Sequence, residues 1–318
     1  MDSGPVAAVC CQGAGVLSLI DLTTGDRLGT VEVGEHPVHA TVVEGRVYVA
    51  TMGARSVAVI DGDGSVEPLH LGVLGPSHFV TARSKLFVSC TAGDVVAAID
   101  PVDVTVLARI GVGSGPHELA TDDRFVYVGT RGSGTVDVID AEALELVDRV
   151  RFGNGARVEG IAVGRDDRLF AIDAGTERLV GLRGVPGAAE MASAPIGSDP
   201  YELAVGDRVI VPERGDGSVA TFSQELALVA RNEGFQTPVD VVSVGDADWI
   251  VDRGDARLQR LDAAASIPTP AGAIRGCKTK RGILLSHYDD AAVSLVSPDA
   301  GVCWRTDTPA NPFGAVVV

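Results

Sequence analysis

Histidines and carboxylates recur in this chain at one place in a repeating motif, and their spacing is the first sign of chemistry. The stretch Gly34-Glu35-His36-Pro37-Val38-His39 returns about every 40 residues as Gly75-Pro76-Ser77-His78, Gly115-Pro116-His117-Glu118 and Ala156-Arg157-Val158-Glu159. It continues as Asp199-Pro200-Tyr201-Glu202, Thr237-Pro238-Val239-Asp240 and Asn311-Pro312-Phe313-Gly314. Two residues past the proline the side chain is nearly always ionisable, giving His39, His78, Glu118, Glu159, Glu202, Asp240 and, from a weaker copy, Arg275. Two histidines and carboxylates converging from successive copies suit a divalent metal ion that keeps open positions. The expected ligands are His39, His78, Glu118, Glu159 and Asp240. Such an ion could polarise an oxygen or activate a water molecule.

Arginines accompany this set. Arg131, Arg214 and Arg253 fall at matching places in their copies, and Arg157 and Arg275 lie nearer the first positions. A planar guanidinium holds a carboxylate or phosphate in two-point contact, so these five arginines, with Tyr201, are expected to bind an anionic small molecule. The run Ser286-His287-Tyr288-Asp289-Asp290 brings a base and a phenol together. His287 or Glu202 as general base and Tyr288 as acid would complete a catalytic set. His36, His70 and His117 read as surface or structural residues. Cys11 and Cys90 share the level of His287, where a small buried thiol is the expected reading.

These side chains need a repeated scaffold. Between the motif copies lie apolar runs of five to seven residues, rich in Val and Ile, at roughly ten-residue spacing and without a helical period. Second strands are expected over 6–11, 47–51, 86–90, 125–130, 169–173, 209–213, 248–252 and 283–287. Third strands follow over 16–21, 57–61, 95–100, 136–140, 179–182, 219–222, 258–262 and 293–296. Connectors such as Met52-Gly53-Ala54-Arg55 and Arg131-Gly132-Ser133-Gly134 supply glycine for tight turns. Strands apolar on both faces, as in Val57-Ala58-Val59-Ile60, fit blades stacked against neighbouring blades. Residues 312–318 match a first strand with nothing after it, whereas the N-terminal copy starts at its second strand. The C-terminal strand is therefore expected to complete the N-terminal blade and close the ring. The expected fold is all-β, an eight-bladed β-propeller of four-stranded antiparallel blades forming a single domain over 1–318, with seven blades as the alternative. Hairpin arithmetic about Gly45 places His39 opposite Thr51.

The copies Arg46-Val-Tyr-Val-Ala-Thr51, Phe125-Val-Tyr-Val-Gly-Thr130 and Val57-Ala-Val-Ile-Asp61, followed by Thr105-Val-Leu-Ala-Arg-Ile-Gly-Val-Gly113, resemble the YVTN-type β-propeller repeat. The resemblance spans essentially the whole chain and weakens after residue 175. The asparagine that ends that family's second-strand motif is Thr, Cys, Asp, Glu or His here. The resemblance implies a propeller, and the family includes binding proteins, cofactor-carrying redox proteins and lyase-like enzymes, so it leaves function to the site.

Composition narrows the partners. The formal net charge is −17 and lysine occurs only at 85, 278 and 280, a balance that repels nucleic acid. It is also the composition of a salt-adapted or GC-rich chain. No run approaches the ~18 unbroken apolar residues of a membrane span, and Met1 to Pro5 carries no basic segment of a secretory signal. A cytoplasmic, membrane-free protein is expected. Five cysteines, odd in number and without knuckle spacing, argue against a disulfide framework. The expected function is a metal-assisted lyase, isomerase or hydrolase acting on an anionic substrate. The alternative is a non-catalytic scaffold or ligand-binding propeller with a protein partner. Copper or haem redox work is disfavoured by the absence of a haem-attachment motif.

Overall fold

The computed structural model describes residues 4–187 and 190–318 and, for Glu190, the backbone alone. Its strands form eight four-stranded antiparallel sheets, each sheet a blade, in an eight-bladed β-propeller. The chain divides into two compact units, residues 71–234 and residues 1–70 with 235–318. The first strands of blades 3 to 6 in the former are Pro76–Ala82, Pro116–Thr121, Val158–Val163 and the short Ala204–Val205. In the other unit blades 2, 7 and 8 begin at Pro37–Val43, Pro238–Val244 and Ala273–Thr279. Blade 1 takes three strands from the N-terminus and its fourth from Pro312–Val317, which pairs antiparallel with Val6–Cys11 through Val9↔Ala315 and Ala7↔Val317. The closure expected from the chain ends is present.

Burial grades across each blade and explains the residue pattern. Second strands are closed on both faces: all six residues of Phe125–Thr130 and of Gly282–His287 are buried. They therefore read as continuous apolar runs, with β-branched and small residues filling the space between sheets. Fourth strands are far more open, and Thr105–Gly111 alternates exposed with half-buried or buried residues because one face meets solvent. These edges carry charge, and Pro68 in Val66–His70 removes a donor from an edge that could otherwise recruit another strand. In the unit 71–234 one core joins Phe87, Val96 and Val126, a second Tyr127, Val138 and Ile161, and a third Phe170, Val211 and Phe222. Each fully buried Phe, Val or Ile contributes about 1.5–3 kcal/mol of apolar transfer.

Every long first strand has an irregularity near its start that decides the site. Pro76 pairs with Cys90 and Phe79 with Val88, so Ser77 and His78 together face Ser89 alone. The same bulge puts His117 and Glu118 opposite Gly129, and Glu159 and Gly160 opposite Ile172. In blade 2 the residue facing Thr51 is Pro37, and His39 faces Ala50. The expected His39–Thr51 pairing is corrected accordingly: the hairpin arithmetic about Glu44-Gly45, a turn with both φ positive (50° and 74°), allowed no extra residue.

Candidate metal centre

A regular strand sends consecutive side chains to opposite faces, whereas a bulge lets two neighbours point the same way. That is how His117 and Glu118, adjacent in sequence, both reach His78 of the neighbouring blade. One donor atom from each of these three residues lies within 4.8 Å of the others. His78 Nε2 is 3.9 Å from Glu118 Oε2, and the two imidazole centroids are 4.3 Å apart at 64°. His78 and His117 are 8% and 5% exposed, and Glu118 is half-buried. Tetrahedral donors bonded at about 2.1 Å sit roughly 3.4 Å apart, so small side-chain rotations would bring these three around one ion.

The surroundings orient the rings. His117 Nδ1 lies 3.2 Å from the main-chain oxygen of Glu159, an acceptor that places the proton on Nδ1 and leaves Nε2 with its lone pair. Glu159 sits beside this set, one place earlier in its bulge than the repeat arithmetic implied. Its carboxylate meets Arg131 Nε at 2.5 Å and Arg157 Nε at 3.0 Å, so it anchors two arginines. The Tyr201 ring stands edge-on to His117 at 5.9 Å, with Arg131 5.6 Å and Arg214 4.9 Å from its centroid. Arg214 also bonds Asp199 at 2.9 Å. Gly160 leaves room for this segment: a Cβ there would lie 2.7 Å from Leu203 Cδ2 and 3.1 Å from the Tyr201 carbonyl oxygen. Gly160→Ala is expected to displace Tyr201 at a cost of about 1–3 kcal/mol, read as a lowered denaturant midpoint.

The unit 71–234 thus brings together His78, Glu118, Glu159, Arg131, Arg157, Tyr201 and Arg214, and adds His117. Glu202 follows Tyr201 there and is half-buried. The other expected residues belong to the second unit. His39 lies edge-on to Phe313 at 5.6 Å, and Arg275 stands over the same ring at 5.6 Å. Asp240 accepts hydrogen bonds from the backbone N–H groups of Gly276 and Val241 at 2.8 Å each. Burial pushes its carboxyl above the usual range against the opposing pull of Arg275. Arg253 pairs with Asp289, and Tyr288 donates to Gln12 Oε1 at 3.0 Å. His39 and Asp240 are not members of the His78 cluster.

His287 reads as structural rather than as a general base. It is fully buried, with Nδ1 2.8 Å from the Ala271 carbonyl oxygen and Nε2 2.8 Å from Ser294 Oγ. Buried carboxylates do the corresponding work in other blades. Asp173 accepts the Arg157 N–H and pairs with Arg178. Glu213 accepts the Gly197 N–H and pairs with Arg231. Asp252 accepts the Thr237 N–H and pairs with Arg257. Each ties the loop entering its blade to the second strand. In blade 4 the carboxylate has moved to Asp137, which accepts the Gly113 N–H at 2.7 Å and pairs with Arg149. Burial also pushes the Cys11 and Cys90 thiols up, to about 11 and about 12, so both stay protonated.

Both kinds of tie weaken as pH falls, but over different ranges. Burial lowers the pKa of His287, so the folded state favours neutral imidazole; its contribution is present above the unfolded value of about 6.5 and is lost as pH falls below it. Asp173 is also lowered, through hydrogen bonds from Thr176, Arg157 and Arg178 that outweigh its burial, and its contribution is lost only below about pH 3.8. His287→Asn is therefore expected to flatten the fall of melting temperature just below pH 6.5 and to leave the loss below about pH 3.8 unchanged.

No protein-family model matches the chain, and no curated protein matches it. Solved structures do. AztD of Citrobacter koseri shares 14% identity at a TM-score of 0.72, covering 99% of this chain and 98% of its own. A catalytically inactive virginiamycin B lyase of Staphylococcus aureus with Quinupristin shares 13% identity at a TM-score of 0.62, over 79% of this chain and 92% of its own. Dihydro-heme d1 dehydrogenase NirN in complex with DHE shares 14% identity at a TM-score of 0.79, over 98% of this chain and 74% of its own. At such identities the likeness shows the fold alone. Among the described residues no helix is long and apolar enough to cross a membrane.

Proposed function

We propose that this chain binds a divalent transition-metal ion through His78, His117 and Glu118 and uses it to hold an anionic small molecule. The observation that carries the reading is the cluster itself: two nearly buried imidazoles, one with its tautomer set by a backbone carbonyl, and a carboxylate on the same side of a bulged strand. Two nitrogens and one oxygen, without a thiolate, suit Zn(II) or a neighbouring first-row ion and leave positions for a ligand. The nearby arginines are largely balanced by Glu159 and Asp199. The ion, set against the single charge of Glu118, would create the excess positive charge that an anion answers. Arg131 and Arg214, beside Tyr201, are the side chains placed to orient it.

With a ligand oxygen on the ion, Lewis-acid polarisation and proton transfer by Glu202 would support a lyase, isomerase or hydrolase reaction. That propellers host lyase chemistry is supported by the virginiamycin B lyase among the structures sharing this fold. A binding protein without turnover is the second reading, favoured by the engagement of both His287 nitrogens within the fold. A cytoplasmic address and YVTN-type ancestry belong to the same proposal. Calorimetric titration of the Zn(II)-loaded protein with inorganic phosphate tests the anion site. Binding that requires the metal and weakens about tenfold in Arg131→Met supports it, in line with the loss of one charge-assisted contact. Equal binding with and without metal would count against it.

A further inference from the structure

A bulged strand leaves a backbone N–H without its ladder partner, and something must take it up. In blade 3 that group is the His78 N–H, and the acceptor is the hydroxyl of Ser89, 3.2 Å away on the facing strand. The same hydroxyl donates to the His117 carbonyl oxygen of the next blade at 2.7 Å. One fully buried oxygen therefore holds the backbones of both histidines. Its rotamer is fixed in turn by Ser77 Oγ, 3.0 Å away, which also bonds Thr91 Oγ1 at 2.8 Å. At the corresponding places in the other blades of this unit stand Gly129, Ile172 and Pro212, none of which carries a hydroxyl. The hydroxyl occurs where the two imidazoles meet.

We propose that Ser89 is the positioning residue of the metal centre, fixing the separation of His78 and His117 so that their ring nitrogens can share one ion. This rests on the reading of the cluster as a metal site. Ser89 does not touch the ion; it acts through the two backbones, as outer-shell partners of metal ligands do. Without it, the His78 N–H and the His117 carbonyl lose their common partner, and the two blades can slide past each other where the rings must converge.

The test is Co(II) binding, followed through the visible ligand-field bands, in the wild-type protein and in Ser89→Ala, Ser89→Thr and Ser286→Ala. Ser286 faces the equivalent bulge in blade 8, and its substitution controls for the loss of a buried hydroxyl. Ser89→Ala is expected to weaken Co(II) binding about 10- to 100-fold and to change the band pattern. Ser89→Thr restores both, and Ser286→Ala leaves both as in wild type. Wild-type affinity and bands in Ser89→Ala overturn the proposal. Should wild type bind no Co(II), the metal reading falls, and the clamp is judged by the imidazole N–H resonances. A shifted His117 Nδ1–H signal in Ser89→Ala supports it, and an unchanged one overturns it.

Discussion

His117→Ala is expected to weaken Zn(II) or Co(II) binding by at least 100-fold, about 2.8 kcal/mol, and, because a buried ring is removed, to lower the melting temperature of the metal-free protein as well. The ring is 5% exposed and stands between His78 and Tyr201, so its removal takes away a donor and the wall that orients its neighbour. Its Nδ1 contact to the Glu159 carbonyl explains why the whole ring matters: the contact sets which nitrogen faces the ion. His78→Ala should match it in size, since His78 is the sole donor from blade 3 in the cluster. Glu118→Gln should cost less, because an amide oxygen still coordinates but no longer offsets the charge of the ion. Competition against a chromophoric chelator measures all three.

The second large effect concerns stability. Arg231→Met is expected to destabilise the fold by about 3 kcal/mol, the lower end for breaking a buried ion pair, since the arginine side chain is 37% exposed. Glu213 is fully buried and takes two hydrogen bonds from Arg231, at 2.9 and 2.8 Å, with others from Gly197 N–H and Ser218 Oγ. Without the guanidinium, those two partners must satisfy a charge that has lost its counter-ion. The double variant Arg231→Met/Glu213→Gln should recover much of the loss, because the amide oxygen still accepts the Gly197 N–H and no charge is left behind. Denaturant midpoints at pH 7 distinguish these outcomes; a single variant as stable as wild type would show that Glu213 relies on its neutral donors.

The fold was legible because its signals are periodic. Strands that must be apolar on both faces, turns placed by glycine, and a terminal first strand without successors all follow from stacking and closure. His78 and Glu118 emerged from the same register. His117 did not, because alternation of side chains across a strand assigns it to the face opposite Glu118, and only the bulge at Pro116/Leu119 brings both to one side. A hint was present in the sequence: Glu159 lies fourteen residues before Asp173, where His39, His78 and Glu118 lie twelve before their counterparts. The pairing explains part of that offset: Glu159 directly follows Val158, which faces Asp173, as His117 directly follows Pro116, which faces Thr130. Asp173, Glu213, Asp252 and His287 each end an expected second strand, so their shared level is legible in the sequence. Their work of tying loops to strands depended on arginines from third and fourth strands, such as Arg178 and Arg231, whose approach no spacing rule reveals.

The central claim is that His78, His117 and Glu118 hold one metal ion, and anomalous X-ray diffraction from crystals grown with Zn(II) addresses it most directly. The account predicts a single strong anomalous peak about 2.0–2.2 Å from one nitrogen of each histidine and from a Glu118 carboxylate oxygen. An anomalous map with no peak between these three side chains, in crystals that hold zinc elsewhere on the protein, would contradict it.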